Sequence, residues 1–218
     1  MPIASNRVST LGTTIFTAIN TLAAQHHAIN LGQGKPDFDG PEAVVAAAVR
    51  ALQDGQHNQY APGPGYPALK QGIATHAAAY YNLDIDPNAG VVVTAGATEA
   101  IFSSVLGLVD LGDEVIVIEP FFDSYLPNII MANATPVFAP LHPPDWTFDP
   151  DELRRAFTPR TRAIILNTPH NPTGRVFTLD ELRLIAELCI EHDVTVIADE
   201  VYEHLVFDSA RHIPIATL

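Results

Sequence analysis

The chain has 218 residues, 47% of them hydrophobic and 17% charged, with a net charge of −14. That length suffices for a sizeable core, as one domain or one domain with a small appendage, and so acidic a balance argues against nucleic-acid or anionic-membrane binding, which rely on basic patches. The lone cysteine, Cys189, excludes an internal disulfide; the N-terminal residues lack the apolar core of a signal peptide, and no apolar run approaches the ~20 residues that span a bilayer, so a soluble, cytoplasmic protein is expected.

Residues 1–40 are weakly periodic and contain LGQGKPDFDG, a Gly/Pro/Asp cluster that reads as loop, so this part is expected to be an N-terminal arm. Pro41 and Glu42 open a helix to about Asp54, because proline suits a first helical turn. QYAPGPGY at 59–66 reads as a rigid turn, and Pro67–Tyr81 as a second helix. Val91–Thr94 is expected to be a strand, followed by a turn at Gly96 and a helix from Thr98 to Val109. Val115–Ile118 is a second strand and Ser124–Met131 a short helix. Asp149-Pro150-Asp151-Glu152 carries a helix-start signature, with Asp as cap and Pro at the first position. Ala163–Leu166 is a third strand. Thr178 and Glu181 form a capping box for a helix over 179–192, whose apolar positions 179, 182, 185, 186, 189 and 190 share one face. Val194–Ala198 is a fourth strand.

Short apolar strands alternating with helices predict an α/β fold, a mostly parallel sheet with helices on both faces. Ligands of such sheets sit beyond the carboxyl ends of the strands. That rule puts Gly96–Glu99, Glu119–Tyr125, Asn167–Gly174 and Asp199–Tyr202 along one edge. In TAGATE (94–99) the glycine lets backbone approach a ligand, and the free N–H groups of the next helix, with the Thr98 hydroxyl, suit a phosphate. Asp199 closes an apolar strand, where a carboxylate can pair with a pyridinium nitrogen and keep it protonated. Tyr202 and the Asn171 amide can donate to an oxygen on the same ring, and Phe122 can cover a ring face. Taken singly, each signal has a plainer reading: a strand–helix connection, an Asp cap, a core phenylalanine.

Their order along the chain is specific. The run GQG, NQYAPGPGY, TAGATEA, EPFFDSY, NTPHNPTG and ADEVYEH resembles the class I/II aminotransferases, enzymes of fold type I that depend on pyridoxal 5′-phosphate (PLP). GTTIF, AINLGQG, DFDGP, NQYAP and DEVYEH are most similar to the methionine aminotransferase branch, related to glutamine transaminase K and the kynurenine aminotransferases. The resemblance runs from about Leu11 to Leu218. It implies that Ala97 and Thr98 bind the cofactor phosphate, that Phe122 stacks on the ring, that Asn171 and Tyr202 contact the ring oxygen, and that Asp199 contacts the ring nitrogen. It implies a homodimer in which Tyr60 reaches the phosphate of the neighbouring subunit's cofactor. Gly34 would offer backbone to the substrate carboxylate, with Asn171 beside it, and Phe16 would line the side-chain pocket, favouring methionine or aromatic substrates over acidic ones.

The resemblance also divides the chain into an arm and small-domain segment, 1–40, and a PLP-binding large domain, 41–218, ending before the family's Schiff-base lysine. The expectation is therefore an aminotransferase passing an amino group to a 2-oxo acid, in a segment that is inactive alone and holds no catalytic residue of its own. A PLP-dependent C–S lyase on the same fold and a non-catalytic truncated interaction module remain as alternatives. The chain's two lysines are Lys35 and Lys70. Lys35 stands in the loop after GQG and reads as solvated; Lys70 reads as a surface position of its helix; neither context supplies the desolvated or cationic setting of a lysine nucleophile. The nine histidines form no H-E-x-x-H pattern, and no metal is expected.

Overall fold

A computed structural model describes residues 5–9, 11–34 and 36–218. Seven α-helices and five strands follow in the order α1 (Ile15–Gln25), α2 (Glu42–Gln53), α3 (Pro67–Tyr81), α4 (Ala97–Leu108), β1 (Glu114–Glu119), α5 (Tyr125–Met131), β2 (Thr135–His142), β3 (Thr147–Phe148), α6 (Pro150–Ala156), β4 (Thr161–Asn167), α7 (Leu179–His192) and β5 (Thr195–Asp199) among the described residues. The strands form one sheet in the order β3-β2-β1-β4-β5. β2, β1, β4 and β5 run parallel to their neighbours, and only the β2–β3 pair is antiparallel.

Strand periodicity explains why this sheet is covered on both faces. Side chains alternate along a strand, and here both sets are apolar. Ile116, Ile118, Ile164 and Leu166 face one core with Leu153 of α6 and Leu182, Ile185 and Leu188 of α7. Val115, Val117, Ala163, Ile165 and Ile197 face the other with Ile101 and Val105 of α4 and Ile129 of α5. The expected α/β class, with helices on both faces, is what the chain adopts.

The helix ends follow the sequence signals. Asp149 caps α6 by accepting from Asp151 N at 2.7 Å and Glu152 N at 3.1 Å, with Pro150 at the first position. Thr178 and Glu181 form the capping box of α7. Asn82 ends α3 and Asp193 ends α7 in the left-handed conformation, at φ 54° each.

Two expectations need correcting, and two elements carry no plain signal in the sequence. Val91–Thr94 is not a strand: no described strand lies beside it, and its Val93 N–H goes to the Pro64 carbonyl at 3.0 Å. In the N-terminal region Ile15–Gln25 is helical, with the Thr14 hydroxyl accepting from Thr17 N at 3.2 Å. Its weak periodicity reflects a helix that buries no residue within the described chain. β2 went unread because Pro136 and Pro140 interrupt it; only Leu141 and His142 pair with β3, so most of its outer edge is free of a partner and tolerates proline. Lys70 is not on the surface: it is buried, and its Nζ donates to the Asn88 carbonyl at 3.2 Å. Lys35 lies outside the described residues.

At the amino end of β1, the buried Glu114 carboxylate accepts from the Thr158 hydroxyl and from the Arg160 guanidinium, whose Nε lies 3.0 Å away. The Thr158 bond, against the opposing effect of burial and with help from Arg160, holds the Glu114 carboxyl below its ordinary value of 4.5. A group whose folded value is depressed contributes stability above its unfolded value, and that contribution fades as pH falls through the folded value. Glu114→Gln should therefore lower unfolding free energy by about 1–3 kcal/mol at pH 7, and the gap to wild type should close as pH drops below about 4.5. Urea denaturation across that range measures it; a gap independent of pH would refute the assignment.

Candidate active site

The strand order reverses between β1 and β4. From β1 the chain moves outward to β2 on one side, and from β4 to β5 on the other. Such a switch point opens a crevice at the carboxyl ends of the two strands. A cavity of about 200 Å³ lies there, lined by Ala97, Thr98, Phe122, Tyr125, Asn167, Asn171, Asp199 and Tyr202, among others.

Asp199 ends β5 and is buried. Its Oδ2 accepts from the Tyr125 hydroxyl at 2.6 Å, and its Oδ1 from Val201 N at 3.3 Å. Among the described residues no Lys, Arg or His lies within ion-pair distance of this carboxylate. A carboxylate has about four acceptor positions, and these two neutral donors leave capacity toward the cavity. A buried carboxylate without a cation is costly, so this position favours a positively charged ligand group.

Neighbouring side chains fix the frame around it. Asn167, the last residue of β4, donates from Nδ2 to the Asp199 carbonyl at 2.8 Å and accepts from Asn171 N at 2.7 Å. One amide thus ties β4, β5 and the following loop together. The Asn171 Nδ2 lies 3.4 Å from the Tyr202 hydroxyl, so two donors converge on the same part of the cavity. Burial, then the bond to Asp199 and its charge, pushes the Tyr125 phenol far up, so it remains a donor. The loop itself is anchored to α7: Arg175 pairs with Glu181 at 2.7 Å, and Glu181 also accepts from Thr178 N at 2.9 Å. His170, buried in this loop, bonds the Thr173 hydroxyl at 2.8 Å; burial above all, with the Arg175 charge, lowers it to about 4, so it is neutral at pH 7.

Across the cavity, α4 begins at Gly96, whose φ of 83° is a conformation that favours glycine. No side chain caps this helix, so its first-turn N–H groups at Ala97 and Thr98 are available to an anion. Phe122 forms part of the wall, and Phe16 of α1 packs against it with ring centroids 6.3 Å apart.

The structure therefore gathers Ala97, Thr98, Phe122, Asn171, Asp199 and Tyr202 in one cavity, with Phe16 at its margin. Tyr60 is fully exposed and Gly34 is exposed, and neither lines the cavity. Two site residues went unread in the sequence. Tyr125 appears there only as the end of EPFFDSY, and Asn167 only as the start of NTPHNPTG; nothing local shows that both hold Asp199.

The family profile for aminotransferase class I and II matches residues 26–218. The chain is 52% identical over 213 residues to the probable N-succinyldiaminopimelate aminotransferase DapC of Mycobacterium tuberculosis, covering 97% of this chain and 53% of that protein. It is 44% identical over 224 residues to kynurenine–oxoglutarate transaminase 3 of Mus musculus, covering 98% of this chain and 49% of that one. The solved structure of YbdL from Escherichia coli, described as having a methionine aminotransferase function, matches with a TM-score of 0.94 and 39% identity, over 100% of this chain and 57% of that chain. The chain spans about half the length of the curated relatives it matches.

Tyr125→Phe removes one of the two donors that support a buried charge. It should destabilise the protein by about 1–3 kcal/mol in denaturant unfolding at pH 7; an unchanged midpoint would show that the 2.6 Å contact does not hold Asp199.

Proposed function

This chain belongs to the class I and II aminotransferases, a PLP-dependent family, and we propose that the protein carrying it transfers an amino group from methionine or an aromatic amino acid to a 2-oxo acid, using PLP held in the cavity at the switch point. The observation that carries the proposal is the buried carboxylate of Asp199, which faces that cavity and has no cationic partner among the described residues.

The residues present fit the cofactor. The uncapped start of α4 at Ala97 and Thr98 offers donors to a phosphate. Asp199 holds a proton on the ring nitrogen, Asn171 and Tyr202 donate to the ring oxygen, and Phe122 covers a ring face. Bound there, PLP supplies an electron sink for charge developing at the substrate α-carbon. Asp199 sustains that sink by electrostatics, from a carboxylate that Tyr125 orients, while Asn167 holds the Asp199 backbone, before substrate arrives. Gly34 offers backbone to the substrate carboxylate, together with Asn171. The exposed Tyr60 reaches the cofactor phosphate of a second subunit, making a homodimer the working unit. In this reading residues 1–40 form an arm and small-domain segment around a large domain that starts near residue 41, and the protein is cytoplasmic. No helix among the described residues is long and apolar enough to cross a membrane.

The substrate class rests on Phe16 against Phe122. Aromatic rings at the cavity wall and margin favour a sulfur-containing or aromatic side chain over an acidic one.

Asp199→Ala in the complete protein should lower turnover by at least about 100-fold while circular dichroism stays native; near-normal transfer would remove Asp199 from the chemistry. Separately, kcat/KM should favour methionine or phenylalanine over aspartate, and Phe16→Ala should erode that preference by about 10-fold. A preference for aspartate or N-succinyldiaminopimelate would overturn the substrate class and leave the reaction class intact.

A further inference from the structure

His76 and His204 stand 128 positions apart in sequence, yet their Nε2 atoms are 2.9 Å apart in the fold. Glu203 completes a triangle with them: its Oε1 lies 3.6 Å from His76 Nε2 and 3.8 Å from His204 Nε2. We propose that His76, Glu203 and His204 form a binding site for a divalent transition-metal ion of the zinc class.

The geometry is that of a ligand set. A tetrahedral ion bound at about 2.0–2.2 Å by nitrogen and oxygen holds its ligand atoms roughly 3.3–3.5 Å from one another. The three observed separations bracket that range, and small rotations of the imidazoles bring the closest pair onto it. Two imidazole nitrogens and one carboxylate oxygen suit zinc, nickel or copper; magnesium and calcium favour oxygen-only sets. The bond between the two imidazoles requires one ring to donate and the other to accept. The accepting nitrogen presents a lone pair, which is what a metal ion takes from an imidazole. The side chain of His204 is 54% exposed, which leaves a path for the ion and room for water in a remaining coordination position.

The surroundings orient these ligands. The Tyr80 ring packs on both imidazoles, at centroid distances of 4.6 Å to His76 and 4.9 Å to His204. The Tyr81 ring stands edge-on to His76, with centroids 6.0 Å apart. Glu203 and His204 lie in a turn held by Glu203 N to Glu200 O at 2.9 Å and Leu205 N to Tyr202 O at 2.8 Å. An ion here ties α3 to the turn that carries Tyr202, so metal binding and the order of the cavity wall are coupled. The net charge of −14 raises the local concentration of cations generally.

The test is a calorimetric titration of zinc into the chelator-stripped, cofactor-loaded protein, repeated on His76→Gln and His204→Gln, with His26→Gln/His27→Gln as a control for exposed histidines. Saturable binding of one ion per chain is expected, weakened by at least about 10-fold in each ligand variant and unchanged in the control. No saturable binding, or a smaller effect of both ligand variants, overturns the site. Zinc should also protect His76 and His204 of the wild-type protein from diethylpyrocarbonate, read by mass spectrometry, which serves if a variant fails to fold; equal modification with and without zinc overturns the site as well.

Discussion

A buried carboxylate with no cationic partner among the described residues is the constraint around which this site is arranged. Asp199 sits where β5 ends, held by the Tyr125 hydroxyl and the Val201 amide, both neutral. Neutral donors support a charge in a low-dielectric setting without cancelling it. The field that results points into the cavity and selects a cationic group there. Other features serve this one. α5 brings Tyr125 from the far side of β1, and Asn167 fixes the Asp199 backbone from β4.

The sheet order makes this convergence inevitable once the strands pair. β1 and β4 are adjacent in the sheet but distant in sequence, so the segments that follow them, EPFFDSY and NTPHNPTG, meet at one edge. Arg175 and Glu181 then join the second segment to α7, and Glu181 also completes the helix cap. Burial pushes the Glu181 carboxyl up, but the Arg175 and Thr178 bonds outweigh it and the net displacement is downward. Loop position and helix start therefore depend on the same side chain.

Much of this was legible in the sequence, for local reasons. Continuous apolar strands implied burial on both faces, and Asp149 and Thr178 announced their helices. Ala97, Thr98, Asn171, Asp199 and Tyr202 stood where strands give way to polar residues. What was hidden depends on partners distant in sequence. Tyr125 and Asn167 show their roles only when β1, β4 and β5 are side by side. Val91–Thr94 has strand composition but no ladder partner among the described residues. Lys70 looks solvated from its helix pattern, and only its contact with the Asn88 carbonyl shows otherwise. The histidine triangle is invisible to motif reading because its members come from α3 and from the turn after β5.

We infer that Asp199 meets the ring nitrogen of PLP, and a crystal structure of the complete protein with its cofactor decides it. The ring nitrogen is expected about 2.6–3.0 Å from an Asp199 carboxylate oxygen, with the phosphate at the start of α4 and the ring against Phe122. A cofactor bound elsewhere, or a ring whose nitrogen turns away from Asp199, would contradict it.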